Sequence, residues 1–261
     1  MGGYAMQRFM VIRRRKSVWF LLGAALYVLV ILLGLGNMVA SLASVTDKEL
    51  PVYSVQRDEP LVALTFNCAW EENDIPQLLD LLEKEKIKAT FFLVGQWIER
   101  YPDSVRQIAA SGHEIGNHSY SHVDFVGAGE DVIRQQMEKT GALIQELTGS
   151  APTLARVPSG SYDSRVIRLL RQQGYEVIQW DVDSVDWQRP PADEITERIL
   201  NKVQNGSIVL FHSGAATTLE ALPDVIAGLR EKGYRFTTVG EMLLKGETVM
   251  DHTGRQMPAE S

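Results

Sequence analysis

From residue 61 to about residue 245, short apolar runs alternate with segments of helical period, and no other feature of the chain restricts its fold as much. The strand candidates are LVALTF (61–66), KATFFLV (88–94), HEIGNH (113–118), LARVP (154–158), YEVIQWDV (175–182), SIVLFH (207–212) and YRFTTV (234–239). Between them lie helical stretches such as DIPQLLDLLEKEK, GEDVIRQQMEKTGALIQELTG and TLEALPDVIAGLREKG, most of them closed by a glycine of the kind that ends helices. Runs that stay apolar instead of alternating belong to strands buried on both faces. That implies an α/β fold, a parallel sheet covered by helices. Seven strands joined by right-handed crossovers suggest closure into a distorted barrel, with an open doubly wound sheet as the alternative. Residues 47–60 read as a polar linker, and residues 246–261 as a polar tail that frays.

The first 46 residues follow a different logic. Residues 1–16 carry Arg8, Arg13, Arg14, Arg15 and Lys16 without an acidic residue, and residues 17–46 carry no charge. The run VWFLLGAALYVLVILLGL is long enough to cross a bilayer as a helix. The basic arm would stay cytoplasmic, giving a single-pass protein of the cell membrane with its main domain outside the cytoplasm. A cleaved signal segment ending near VASLAS is the competing reading, and it would give a secreted protein. Without the arm's five positive charges, the chain has 21 Lys+Arg against 33 Asp+Glu and no basic stripe, which argues against nucleic acid as a partner. The single cysteine excludes an internal disulfide and suggests a buried or liganded thiol.

In either α/β architecture the ligand site lies beyond the carboxyl ends of the strands. Asn67 and Cys68 end the first strand, His118 the third and His212 the sixth, while Arg156 lies near the end of the fourth and Asp181 to Asp186 follow the fifth. His118 and His122 have the spacing to chelate one metal ion. Arg156 with the Pro158–Ser159–Gly160 turn could hold an anion, or present backbone N–H groups to a developing oxyanion. Asp183 and Asp186 could orient Arg156 or a histidine, and Trp187 could wall a small apolar pocket or stack on a sugar. His212 suits a general acid, because imidazole exchanges protons near neutrality. His113 stands at the wrong end of its strand and reads as structural, and His252 in the tail is assigned no role.

Taken in order, ALTF with its polar pair, KATFFLVG, GHEIGNHSYSH, RVPSG, DVDSVDW and LFH resemble the polysaccharide deacetylases, the NodB-type carbohydrate esterases. The likeness covers about residues 55 to 245 and is nearest to the membrane-anchored deacetylases of spore-forming bacteria. It implies a distorted (β/α) barrel with fewer than eight strands, and a divalent metal, often zinc, held by two histidines and an aspartate. The implied reaction removes N- or O-acetyl groups from cell-wall or related glycans. On this likeness His118 and His122 match the metal histidines, and Arg156 matches the arginine that orients the catalytic aspartate. The backbone after Pro158 matches the oxyanion contact, with Ser159 in place of an aromatic. Asp186 and Trp187 match the segment that supports the arginine and walls the acetyl pocket. Leu210 and His212 match the pocket's apolar residue and the acid.

The departure is at the first strand, where the family carries a base aspartate and a metal-ligating aspartate. This chain has Asn67 and Cys68. An amide cannot serve as a base near neutral pH. Cys68 as thiolate would complete a His₂Cys set and favour zinc, although a plain buried side chain is the competing reading, and Glu71, Glu72 and Asp74 close by are further candidates for the third ligand. Asp74, with Gln77 three residues on, reads as the N-cap of the first helix.

Overall fold

The computed structural model describes residues 26–27, 30–31, 49–70 and 74–259. The chain divides into two units, residues 1–48 and 49–261. Of the first, Leu26, Tyr27, Val30 and Ile31 are helical and exposed, and the rest of the expected membrane segment and basic arm lies outside the described residues. Among the described residues no helix is long and apolar enough to cross a membrane.

The second unit is built on one sheet. Its strands are β1 (Ser54–Val55), β2 (Leu61–Cys68), β3 (Thr90–Leu93), β4 (Glu114–Asn117), β5 (Leu154–Ala155), β6 (Glu176–Val177), β7 (Val182–Asp183), β8 (Ser207–His212), β9 (Arg235–Thr237), β10 (Thr248–Met250) and β11 (Arg255–Pro258). The helices are α1 (Ile75–Lys84), α2 (Gly95–Arg100), α3 (Pro102–Ala110), α4 (Glu130–Thr148), α5 (Ser164–Gln172), α6 (Ala192–Lys202), α7 (Ala216–Glu231) and the short α8 (Val239–Met242). Strands run in the order β10-β11-β1-β8-β2-β3-β4-β5-β6, with β7 also pairing β8 and β9 also pairing β2. All seven strands expected from the sequence form, and from β8 through β2 to β6 they pair in parallel.

The sheet is mixed, however. β1 lies antiparallel to β8, and β10 antiparallel to β11. It curls part of the way round, as a half-barrel, and is not an all-parallel ring. Past β6 the chain leaves the sheet and rejoins it as β7 beside β8. Asp181 holds this turn by accepting from Ser207 Oγ at 2.7 Å and from the Ile208 N–H at 2.8 Å. The extra strands come from the supposed linker and tail. Val52 and Val55 are wholly buried, and residues 248–258 form a hairpin that pairs with β1, so neither segment is loose. Gly206, at φ +81°, lets the turn before β8 pass β1: a Cβ there would sit 1.7 Å from the Val55 carbonyl oxygen.

Period-two geometry sorts β2 into two faces. Val62, Leu64, Phe66 and Cys68 point outward into the main core beneath the helices. Phe66 stacks there on Phe91 and Phe211 of the two flanking strands, with ring centroids 5.1 and 5.5 Å apart. Ala63, Thr65 and Asn67 point into the curl. Inside it the arginine of RVPSG takes the place of an apolar filler.

Candidate active site

A cleft of about 400 Å³ opens at the carboxyl ends of the strands. It is lined by Asn67, Ala69, Trp70, His118, His122, Ser159, Trp180, Asp183, Trp187, Leu210 and His212. Residues from five separate strand ends therefore meet in one place, while Arg156 and Asp186 lie buried behind them and Cys68 and Asp181 do not line the cleft.

On the side formed by β4, His118 is 1% exposed, and its Nδ1 is tied to the Arg156 carbonyl oxygen at 2.8 Å. That bond requires a proton on Nδ1 and leaves Nε2 with its lone pair. Nε2 is buried without a hydrogen-bond partner. His122 follows through a turn in which its φ is +56°, so the pair is not helical; the rings meet edge-on with centroids 5.0 Å apart. Burial pushes the pKa of both imidazoles down, His118 far more strongly, so both are held neutral, the form that ligates metals. Arg165 on α5 fastens the following loop by donating to the carbonyls of Phe125, Val126 and Ala128.

Across the cleft, His212 ends β8 beside Asn67, its register partner on β2. Asp186, fully buried, accepts from His212 Nδ1 at 2.7 Å, from the His212 backbone N–H at 2.7 Å and from Thr218 Oγ1 at 2.6 Å. This carboxylate fixes the ring and leaves Nε2 as its exchangeable nitrogen. The resemblance had assigned Asp186 to the arginine. The structure gives it to His212, because the turn after β7 brings it to the end of β8. Asp183, which takes the Trp180 indole N–H at 3.1 Å, is the carboxylate whose charge is felt at Arg156.

Arg156 is wholly buried beneath Asn67. Nη1 donates to Thr65 Oγ1 at 2.9 Å and to Asn67 Oδ1 at 3.0 Å, Nη2 to the Gln179 carbonyl at 3.1 Å, and Nε to the Ile178 carbonyl at 3.4 Å. Its guanidinium lies over the Phe92 ring, 4.0 Å from the centroid. Every one of these partners is neutral. Desolvation lowers the arginine's pKa to about 9, with Asp183 acting the other way. The side chain orders Asn67 as the resemblance has it order an aspartate, but among the described residues no carboxylate is bonded to it.

Two expectations fail. Cys68 is fully buried on the outer face of β2, one residue and therefore one face away from Asn67, and desolvation pushes its thiol up to about 12. The expected His₂Cys set is not assembled, and among the described residues no three of His, Cys, Asp and Glu are placed to hold one metal. Asp74 occupies the N-cap position of α1 as expected, but without the expected cap bond. Its side chain instead accepts from the Gly214 N–H at 2.6 Å, tying the start of α1 to the loop after His212.

Leu210 is buried in the wall and Trp187 is 54% exposed at the mouth. Ser159 lines the cleft in a left-handed conformation, φ +54°, in the short turn that begins at Pro158. Trp70 was missed. It is 52% exposed, and its ring stacks on His212 with centroids 5.3 Å apart at 27°. Its position two residues past Cys68, at the tip of the first motif, was the signal available. His113 is structural as expected. Its Nδ1 accepts from the Ala89 N–H at 3.2 Å on the far side of the sheet.

The polysaccharide deacetylase family model matches residues 54–178. A peptidoglycan-N-acetylglucosamine deacetylase of Bacillus cereus is 39% identical over 185 residues, which is 69% of this chain and 67% of that protein. The chain belongs to the polysaccharide deacetylase family. The uncharacterized protein YlxY of Bacillus subtilis is 36% identical over 74% of this chain, and the match spans 60% of that longer protein. Among solved structures, wild-type BA3943 of Bacillus anthracis, described as a CE4 family pseudoenzyme, superposes with a TM-score of 0.71. It is 35% identical over 74% of this chain and 68% of its own. A BA3943 mutant described as having restored enzymatic activity superposes equally well.

Proposed function

We propose that the chain is a metal-dependent hydrolase that removes N-acetyl, or O-acetyl, groups from a cell-wall glycan such as peptidoglycan, and that it turns over slowly. One observation carries this reading: His118, His122 and the His212–Asp186 pair face a single cleft walled by Leu210 and three tryptophans. A divalent cation, with zinc the proposed metal, fits the histidine pair, since the orphaned His118 Nε2 is a buried lone pair in need of a partner. The described residues supply no third side-chain ligand. When bound, such an ion supplies a polarised carbonyl and a water of lowered pKa.

The rest of the work falls to the chain itself. Leu210 and Trp187 wall the acetyl group, and the turn at Ser159 lies against the same cleft. His212, with its Nδ1–H held by Asp186, gives the departing amine the Nε2 proton when the ring is in its imidazolium form. Asn67 takes no proton, so general-base assistance, typically about 10² to 10⁴-fold, is missing. That loss leaves a slow enzyme, given that total enhancements begin at about 10⁶. The basic arm and apolar run at residues 1–46 support a place in the cell membrane with the catalytic unit outside the cytoplasm.

A second reading has support of its own. The amide at residue 67, the outward-facing Cys68 and the likeness to BA3943 favour a pseudoenzyme that binds glycan without hydrolysing it. Acetate release separates the two. The full chain is incubated with zinc or cobalt and acetylated chitooligosaccharides or muropeptides. The first reading expects slow release, a gain of about 10² to 10⁴-fold in Asn67→Asp, and loss in His118→Ala. Glycan affinity without release in the wild type, with turnover appearing only in Asn67→Asp, would establish the second. No release and no glycan affinity in any variant would end both.

A further inference from the structure

We infer that Asn67 and Arg156 together form a hydrogen-bond-donor subsite for an acetyl oxygen, so that at this strand end the cleft presents a donor and not an acceptor. The inference rests on the glycan-deacetylase reading for the identity of the ligand, but its geometry stands alone. The Arg156 guanidinium can only donate, so the oxygen of the Asn67 amide must be the atom 3.0 Å from Nη1. The amide nitrogen is then the other branch, and among the described residues it donates to none. Asn67 lines the cleft, and its register partner across the sheet is His212. Among the described residues, Asn67 Nδ2 is therefore a donor left uncommitted on a residue that lines the cleft beside the acid.

The charge bonded to this amide is positive, although Asp183, which lines the same cleft, acts on the arginine from outside its hydrogen bonds. All four groups that accept from Arg156 are neutral, so its positive charge is not balanced by any group bonded to it. A hydrogen bond from the cation polarises the amide and strengthens the donor at its far end. An aspartate at this position would present a negative acceptor and repel a carboxylate. The amide attracts one. The ligand class is the acetyl group: its carbonyl oxygen in an N-acetylated sugar, or the carboxylate of free acetate. Bound as acetate, the reaction's own product would be retained, which adds a second cause of slow turnover.

The test uses the full-length chain treated with a chelator, so that binding to a metal cannot contribute. Sodium acetate and, in a separate arm, N-acetylglucosamine oligomers are titrated while the Asn67 side-chain NH₂ resonances are followed by nitrogen–proton correlation. Expected are saturable shifts of that NH₂ pair, and acetate affinity at least tenfold weaker in Asn67→Asp. Response to the oligomers alone identifies the substrate carbonyl as the ligand, and response to acetate identifies the product. Unmoved Asn67 resonances in both arms, or an unchanged affinity in Asn67→Asp for whichever ligand moves them, overturn the inference. Acetate release from glycan by the wild type with a silent Asn67 would leave the deacetylase reading standing and remove this one. Acetate binding at Asn67 without any turnover would do the reverse.

Discussion

At the scale of single residues, burial decides which groups carry charge. Arg156 keeps its proton at neutral pH because five N–H donors, four of them spent on the bonds described, and an aromatic face replace water. His113 does the opposite. The Ala89 N–H occupies its Nδ1 lone pair, Lys88 lies close by, and burial lowers its pKa to about 4 from the usual 6.5. Above about pH 6.5 the imidazole is neutral in both folded and unfolded chains, and the full stability is present. As pH falls from 6.5 toward 4 the unfolded chain takes up a proton that the folded chain refuses, so stability is lost. The gap corresponds to at most about 3 kcal/mol. Urea unfolding at pH 7.5 and pH 4.5 should show this loss, with a shallower dependence in His113→Gln. The lowered pKa values of His118 and His122 add to the slope in the same direction and remain in that variant. An unaltered slope in His113→Gln would refute the assignment.

Among the elements, the unexpected one is the β10–β11 hairpin. It supplies the Gly254 and Gln256 carbonyls that accept the N–H groups of Tyr53 and Gln56, both at 2.8 Å. Gln256 is 5% exposed, and its Oε1 accepts from the Leu244 N–H at 2.9 Å. Removing residues 246–261 should therefore destabilise the second unit, and Gln256→Ala alone should cost about 1 kcal/mol by removing the bond to the partly buried Leu244 N–H. Chemical denaturation would check both, and a truncated chain as stable as the intact one would contradict this account. The hairpin escaped the sequence reading because its strands are short, polar and without alternation. Their pairing partner is β1, which is far away in sequence. The seven parallel strands were legible because strands buried on both faces must be apolar along their whole length.

For the whole molecule, the cleft joins groups from β2, β4, the β5–α5 turn, the β7–α6 loop and β8, so its occupancy reports on the entire fold. A ligand that binds only the folded chain raises its stability by about 2.7 kcal/mol at a hundred times its Kd. Zinc at that excess should raise the melting temperature of the wild type by about 5–10 °C. Chelation should reverse the shift and His118→Ala should abolish it, as scanning calorimetry would register. An equal shift in His118→Ala would place the ion elsewhere.

The sequence alone determined the order of strands and helices, the end of the sheet at which the site lies, and the chemical types gathered there. Each of these follows from local periodicity or from the parallel-sheet rule. Three matters were decided only in the tertiary structure: that Asp186 serves His212 and not Arg156, that Cys68 turns away from the cleft while Asn67 faces it, and that Trp70 covers the acid. A hydrogen bond between side chains 26 residues apart is set by how two strand ends converge, and the face that Cys68 takes is set by how far β2 runs before its pleat ends. Neither quantity is encoded in spacing. Both come from the curl of the sheet.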